Sequence, residues 1–155
     1  MAQADNKKGF WPLYPDNARI TELPVATTQT LAAGDAVILS SNQVAIALAN
    51  SAILCGVMAE PSVLATAATK VKVYADPDTI FQCRQDSTDA IAIGDEIDLA
   101  GATGAMQLDG NVSTADQFKL IGGPLPNEGD NSTPTAAAGR RWAVKINKHE
   151  FAQID

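Results

Sequence analysis

The sequence contains few residues of the types that carry out catalysis. His149 is its only histidine, which excludes a metal site built on two histidines. The Gly-x-Ser-x-Gly motif of the α/β-hydrolases is missing, and so are the glycine-rich motifs that bind phosphates. Because His149 lies between Lys148 and Glu150, we expect an exposed side chain and not a catalytic base. The sequence therefore predicts no catalytic residue and no cofactor.

Both cysteines lie in apolar stretches that are typical of strands. A buried free cysteine behaves as a small hydrophobic residue, so we expect Cys55 and Cys83 to be inert core thiols. Residues 1–8 are polar and lack the pattern of a secretory signal, which favours folding in a reducing cytoplasm. A disulfide or a reactive thiol is the alternative.

The carboxylates are the remaining candidates for chemistry. Residues 76–130 contain eleven acidic side chains but only two basic ones, Arg84 and Lys119. The densest groups are Asp76-Pro77-Asp78 and Asp95-Glu96-Ile97-Asp98, and oxygen ligands of this kind suit Ca²⁺. The spacing is not that of an EF-hand. We expect solvated turns that discourage pairing between sheet edges, and no metal site.

The overall composition excludes several classes of partner. The chain has 155 residues, a formal net charge of −7 and 19% charged residues, which is below the ~25% usual for soluble domains. A nucleic-acid or anionic-membrane binder needs a basic surface, so neither partner is predicted. The sequence also lacks the ~18 consecutive apolar residues of a membrane-spanning helix.

The distribution of apolar residues predicts an all-β fold. Short segments rich in Val, Ile, Leu and Thr alternate with Gly, Asp, Asn and Pro, and no window favours a long amphipathic helix. The length fits one domain, predicted as a compact β-barrel over residues 20–155. The predicted strands are Ile20–Val25, Ala36–Ser40, Val44–Ala49, Ala52–Ala59, Lys70–Ala75, Thr79–Gln85, Glu96–Ala100, Ala105–Leu108, Gln117–Ile121 and Arg141–Asn147.

One stretch of sequence occurs twice. Residues 31–39 align with residues 91–99, and in each a Gly-Asp pair precedes alternating apolar residues. This pattern predicts a tight turn, with Gly34 and Gly94 at positive φ, that leads into a strand. We interpret the repetition as architecture and not as a binding site.

Two segments differ from the strand pattern. Residues 1–19 form a predicted extended arm whose prolines exclude a helix or a central strand. Its aromatic tip must dock on its own barrel, on another copy or on another protein. Residues 122–139 form a long Gly/Pro-rich loop that is either a solvated tip or a partner contact.

Basic residues are concentrated at the other end of the chain. Arg140, Arg141, Lys145 and Lys148 follow a strongly acidic middle region, and this asymmetry favours association with an acidic surface, although pairing within the chain is equally allowed. The predicted contacts with a partner or a neighbouring subunit are Phe10, Trp11, Leu13, Tyr14, Arg140 and Arg141.

Five stretches follow one another in a recognisable order: Gly34–Leu39, Val44–Ala47, Ile53–Val57, Lys70–Asp78 with Phe81, and Arg141–Asn147. Together, over about residues 33–147, they resemble the capsid decoration (cement) proteins of tailed bacteriophages. The resemblance implies a β-barrel or β-tulip-like domain on the outer surface of the virion, made in the host cytoplasm. It also implies a homotrimer that binds the major capsid protein and stabilises contacts between its subunits, without enzymatic activity.

Two other functions stay open at this stage. A head-fibre base or a carbohydrate-binding β module would use aromatic side chains, and the candidates are Tyr74, Phe81, Phe118 and Trp142. A hydrolase on a trimeric β scaffold would use Asp95, Glu96 and Asp98. For the decoration protein, we expect that removal of residues 1–16 leaves a folded barrel and weakens attachment to capsids.

Overall fold

The computed structural model describes residues 8–26, 30–61, 69–86, 90–110, 115–125 and 140–152. It confirms the all-β prediction: short 3₁₀ turns at Pro15–Asn17 and Glu150–Ala152 are the helical segments of this part of the chain. The strands are β1 (Trp11–Pro12), β2 (Thr21–Pro24), β3 (Ala36–Ser40), β4 (Gln43–Ile46), β5 (Gly56–Met58), β6 (Lys70–Tyr74), β7 (Phe81–Arg84), β8 (Glu96–Ala100), β9 (Gln107–Asp109), β10 (Phe118–Leu125) and β11 (Arg141–Ile146).

All ten predicted strands are present, and each overlaps its predicted range. Basic and apolar residues alternate along Lys70–Tyr74, and in the structure Val71 and Val73 are buried while Lys70 and Lys72 are exposed, as successive residues of a strand point to opposite faces. All three residues of β5 are buried, as its continuous apolar sequence predicts. The predicted loop at 122–139 begins inside β10, which extends to Leu125, and residues 126–139 lie outside the described part of the chain.

The strands form two sheets with the same internal order. One sheet is β2-β6-β5-β3-β4, and the other is β1-β7-β11-β10-β8-β9. When β1 is set aside, the two strand orders correspond. Adding five to each strand number of the first sheet gives β7-β11-β10-β8-β9, which is the order of the second sheet. We call residues 21–74 repeat 1 and residues 81–146 repeat 2. The sequence repetition thus marks a duplicated five-stranded unit.

Each unit curls until its outer strands meet. In repeat 1, Val25 forms a bridge with Val44 and Ala26 N donates to Val44 O at 2.8 Å. In repeat 2, Gln85 forms a bridge with Leu108 and Asp86 N donates to Leu108 O at 2.9 Å. These contacts between β2 and β4, and between β7 and β9, give each unit its barrel-like curvature.

The two Gly-Asp turns have the same geometry. Gly34 and Gly94 have φ of 90° and 100°, which confirms the prediction of positive φ. Ala32 N donates to Asp35 Oδ2 at 2.9 Å, and Ala92 N donates to Asp95 Oδ2 at 2.9 Å. The sequence repetition therefore corresponds to a repeated local structure, held by one Asx-type hydrogen bond in each copy.

The apolar interior joins the two units. One core cluster lies entirely within residues 25–75, and includes Val37, Val44 and Val73. A larger cluster combines the interior of repeat 2 with Ala36, Leu54 and Val57 of repeat 1. Because the second cluster draws on both repeats, the units are packed as one body.

The two aspartates of the turns offer a matched comparison. Asp35 is fully buried and also accepts a hydrogen bond from Gly104 N at 2.9 Å, whereas Asp95 is exposed. We expect Asp35→Ala to lower the free energy of unfolding by about 1–3 kcal/mol, because two backbone N–H groups lose their acceptor. Asp95→Ala should have a smaller effect, since water replaces its carboxylate. Urea denaturation of both variants tests this, and equal losses would contradict it.

Candidate partner-binding surface

The N-terminal segment lies against its own barrel. Trp11 and Pro12 pair with Gln82 and Phe81 in antiparallel register, so β1 is the edge strand next to β7. Gly9 N donates to Met106 O at 2.9 Å, and Phe10 N donates to Gly34 O at 2.8 Å. Residues 8–13 thus contact both repeats. These residues of the arm therefore dock on the barrel of their own chain.

Phe10 is a core residue. Its side chain is fully buried, and its ring stacks on that of Phe118 with centroids 4.3 Å apart and an interplanar angle of 13°. The sequence analysis predicted that Phe10 contacts a partner. In the structure its side chain is fully buried, so it has no exposed surface for such a contact. An isolated aromatic cluster does not reveal which of its rings turns inward, and Phe10 is the one that fills the core.

The other arm residues keep exposed surface. Trp11 is partly exposed; its Nε1 donates to Lys8 O at 2.8 Å, and its ring covers Gly34, where an added Cβ would lie 3.0 Å from Trp11 Cζ2. Leu13 is partly exposed, and Leu13 N donates to Ile80 O at 2.9 Å. Tyr14 is 56% exposed and borders a depression of about 180 Å³ beside Ile80.

Arg141 of β11 and the arm contact the same strand, β7, from its two sides. Arg141 Nη1 donates to Gln82 Oε1, and Gln82 is the residue paired with Trp11. Arg140, at the start of β11, is partly buried, and its carbonyl accepts from Gln85 N at 2.8 Å. Trp11, Leu13 and Tyr14 thus follow β7 and the adjoining Ile80 on one side, and Arg141 contacts Gln82 of β7 from the other. We call these four residues the arm edge. Their role in binding stays a prediction.

The carboxylates proposed for a hydrolase have different environments. Asp98 is buried, and its Oδ1 accepts from Ala115 N at 3.0 Å and from Asp116 N at 2.7 Å. Asp95 stabilises the turn, and Glu96 is exposed on β8. Since Asp98 is engaged in structural bonds, the three do not form one site. Among the described residues, no group of three or more His, Cys, Asp and Glu is arranged to hold a metal ion.

Three of the four aromatic side chains considered for sugar binding belong to the core. Phe81, Phe118 and Trp142 are 1%, 0% and 4% exposed. Trp142 Nε1 donates to Gln85 Oε1 at 3.2 Å, so even its polar atom has an internal partner. Tyr74 is partly buried and packs edge-on against Phe81. These rings are part of the packing and do not form a sugar-binding platform.

Both thiols are buried and free. Burial raises the pKa of Cys55 to about 12 and raises the pKa of Cys83 further. The thiolate is the reactive form, so neither cysteine is a nucleophile at neutral pH. The prediction that both cysteines are free core thiols is confirmed.

His149 is buried, and the prediction of an exposed side chain is wrong. It is 2% exposed because the last segment docks on repeat 1: Leu54 N donates to Lys148 O at 3.0 Å and Glu150 N donates to Leu54 O at 2.8 Å. Its Nδ1 accepts from Phe151 N at 3.1 Å, which places the proton of the neutral ring on Nε2. The charged neighbours Lys148 and Glu150 suggested an exposed position. They point to solvent and His149 points inward, because side chains alternate in this extended segment.

The burial of His149 predicts a pH dependence of stability. Burial lowers its pKa, and the nearby Asp76 carboxylate opposes this only in part. An unfolded histidine titrates near ~6.5, so the unfolded chain binds the proton first as the pH falls. Neutral His149 therefore makes its full contribution to the free energy of unfolding above the unfolded pKa of ~6.5. This contribution is lost as the pH falls from there toward the lower pKa of the folded state.

Urea denaturation between pH 7.5 and pH 5.5 measures this effect. We expect the wild type to lose stability over this interval by more than His149→Asn, which retains an acceptor for Phe151 N but does not take up a proton. Identical pH profiles for the two proteins would contradict the assignment.

The sequence matches no family model, and it has no significant match among the curated proteins. Within the described residues, no helix has the length and apolar character to cross a bilayer.

Proposed function

We propose that this protein is a capsid decoration protein of a tailed bacteriophage, which binds the outer surface of the head and stabilises contacts between major capsid protein subunits. The observation that carries the proposal is the arm edge, where the exposed or partly exposed side chains of Trp11, Leu13 and Tyr14 and the Arg141 guanidinium lie on the two sides of β7. Such a surface suits binding to another protein, since interfaces are enriched in Tyr, Trp and Arg.

The physical task of a decoration protein fits this chain. Stabilising a shell requires binding free energy across subunit boundaries, repeated over many copies, and no covalent chemistry. A duplicated barrel supplies a rigid body for this purpose, because its two units share a core and present turns and edges on several sides. We also propose a homotrimer, in which three arm edges contact the shell together and raise the overall affinity.

Binding to expanded, empty phage heads tests the proposal. Purified protein is mixed with the heads, and the bound fraction is measured after sedimentation as a function of concentration. We expect saturable binding that Tyr14→Ala and Arg141→Glu weaken about tenfold or more, as expected for central interface residues. The control is Lys70→Glu, which makes the same charge reversal at an exposed position of β6.

All variants must first show the wild-type thermal unfolding curve. Absence of binding by the wild type would overturn the proposal. If Lys70→Glu weakened binding to the heads equally, the arm edge would not be the contact surface. The mass of the unbound protein in solution tests the trimer separately.

A further inference from the structure

The two Gly-Asp turns have the same structure but different surroundings. In repeat 1, Leu31 and Asp35 are buried, with exposed fractions of 1% and 0%. In repeat 2, Ala92, Gly94 and Asp95 are exposed, and Ile93 is 61% exposed. The difference comes from what covers the first turn.

Two segments cover the first turn: the turn at Gly104 of repeat 2, whose N donates to Asp35 Oδ1 at 2.9 Å, and the extended aromatic segment of the arm. Gly34 O accepts the hydrogen bond from Phe10 N, and Gly9 and the Trp11 ring both contact Gly34. The arm thus meets the turn with a backbone N–H and an aromatic side chain at once. Repeat 1 shows how a turn of this kind is bound.

The second turn has the same groups without a cover. A Cβ added at Gly94 would meet no atom within 4 Å, and within the described residues Gly94 O accepts no hydrogen bond. Gly94 N donates to Leu120 O at 2.8 Å, and the residues adjoining this bond, Ile93 and Ile121, are exposed. Where repeat 1 has Ala33, repeat 2 has the larger Ile93. The surface left open is therefore more apolar than its covered equivalent.

We propose that this surface, residues 91–96 with Ile121, is a docking site for an extended segment of a partner protein that carries an aromatic residue and neighbouring basic residues. We call it the open turn. The segment would donate a backbone N–H to Gly94 O and place its aromatic ring over Gly94, as Phe10 and Trp11 do at Gly34.

Two observations select this occupant. First, Asp95 and Glu96 are exposed at the open turn, so basic side chains on the bound segment are favoured. Second, the chain has one aromatic arm, and that arm already lies on the turn of repeat 1. A copy of this chain would have to release its own arm to fill the site, which would expose Phe10. A different protein can bind there without that loss.

The inference goes beyond the proposed function, because the open turn can bind such a segment whether or not the partner is a capsid protein. The sequence of the arm supplies a suitable probe. Residues 7–15, Lys-Lys-Gly-Phe-Trp-Pro-Leu-Tyr-Pro, combine two lysines, two adjacent aromatic residues and proline-restricted extended backbone.

The experiment titrates the full-length protein with a synthetic peptide of residues 7–15, blocked at both ends. Fluorescence anisotropy of a labelled peptide gives the affinity, and amide NMR shifts locate the site. We expect saturable binding with shifts at residues 91–96 and 120–121. Ile93→Ser should weaken binding about tenfold, and a peptide with alanine in place of Phe10 and Trp11 should not bind. Leu48→Ser is the matched control, because Leu48 is 59% exposed elsewhere.

Three results would overturn the proposal: no binding by the wild type, equal weakening by Leu48→Ser, or shifts confined to the turn at Gly34, which would mean that the peptide displaces the arm. No capsid is present in this experiment, so its failure is distinct from failure of the decoration function.

Discussion

Replacing Phe10 with alanine is expected to lower the free energy of unfolding by about 3–5 kcal/mol, the usual effect of removing a large aromatic side chain from a core. Phe10 is fully buried and stacks on Phe118, so the substitution leaves a cavity at the contact between the arm and repeat 2. Because small domains are stable by only about 5–15 kcal/mol, the variant should be marginal. Thermal and urea denaturation measure the change.

Tyr14→Ala is the control for this prediction. Tyr14 lies four residues further along the same segment and is 56% exposed, so its removal should leave stability nearly unchanged. A loss at Phe10 no larger than the loss at Tyr14 would contradict the docking of the arm. The same contact changes the expectation for removal of residues 1–16: the truncated chain lacks both Phe10 and β1, so we now expect it to be destabilised, and capsid attachment is better tested with point variants.

Replacing Gln117 with leucine is expected to lower the free energy of unfolding by about 2–3 kcal/mol. Gln117 is fully buried; its Nε2 donates to Leu48 O and Ser51 O, both at 2.8 Å, and its Oε1 accepts from Leu99 N at 2.8 Å. The substitution leaves the buried Leu99 N–H without its acceptor, at about 1–3 kcal/mol, and removes a donor from the carbonyls of Leu48 and Ser51, which lie in a more exposed turn and cost less. The same side chain also fastens the turn at residues 48–51 of repeat 1 to repeat 2.

Gln43→Leu is the matched control, since Gln43 is partly exposed at the start of β4. Urea denaturation of both variants gives the difference in stability. If the Gln117 variant were as stable as the Gln43 variant, the side chain would not link the two repeats in the way the hydrogen bonds indicate. Loss of the link should also separate the unfolding of the repeats, which hydrogen exchange would detect.

The sequence predicts the strands well because their signal is local. Alternation in Lys70–Tyr74 depends only on which face of a sheet is wet. In Arg141–Ile146 the alternation is incomplete, because Ala143 is buried between Trp142 and Val144. The same reasoning identifies the Gly-Asp turns, where a positive φ favours glycine. It does not find β1, which has two residues, one of them proline, and is a strand only because β7 pairs with it.

The candidate site is less accessible to sequence reasoning, because it depends on register and burial. Arg141 meets the arm through Gln82, and that contact requires β1, β7 and β11 to be adjacent in one sheet. Phe10 and Tyr14 belong to one aromatic cluster, yet one is buried and the other exposed. The correspondence between the repeats extends over five strands, whereas only the turn and the strand after it are visible in the sequence.

The central claim is that the protein stabilises a viral shell by binding its exterior, and the thermal disruption of expanded heads tests it most directly. Calorimetry of the heads is performed with and without saturating protein. We expect the disruption temperature to rise with occupancy and to level off once the sites are full. An unchanged temperature at saturating protein, or the absence of the chain from purified virions, would contradict it.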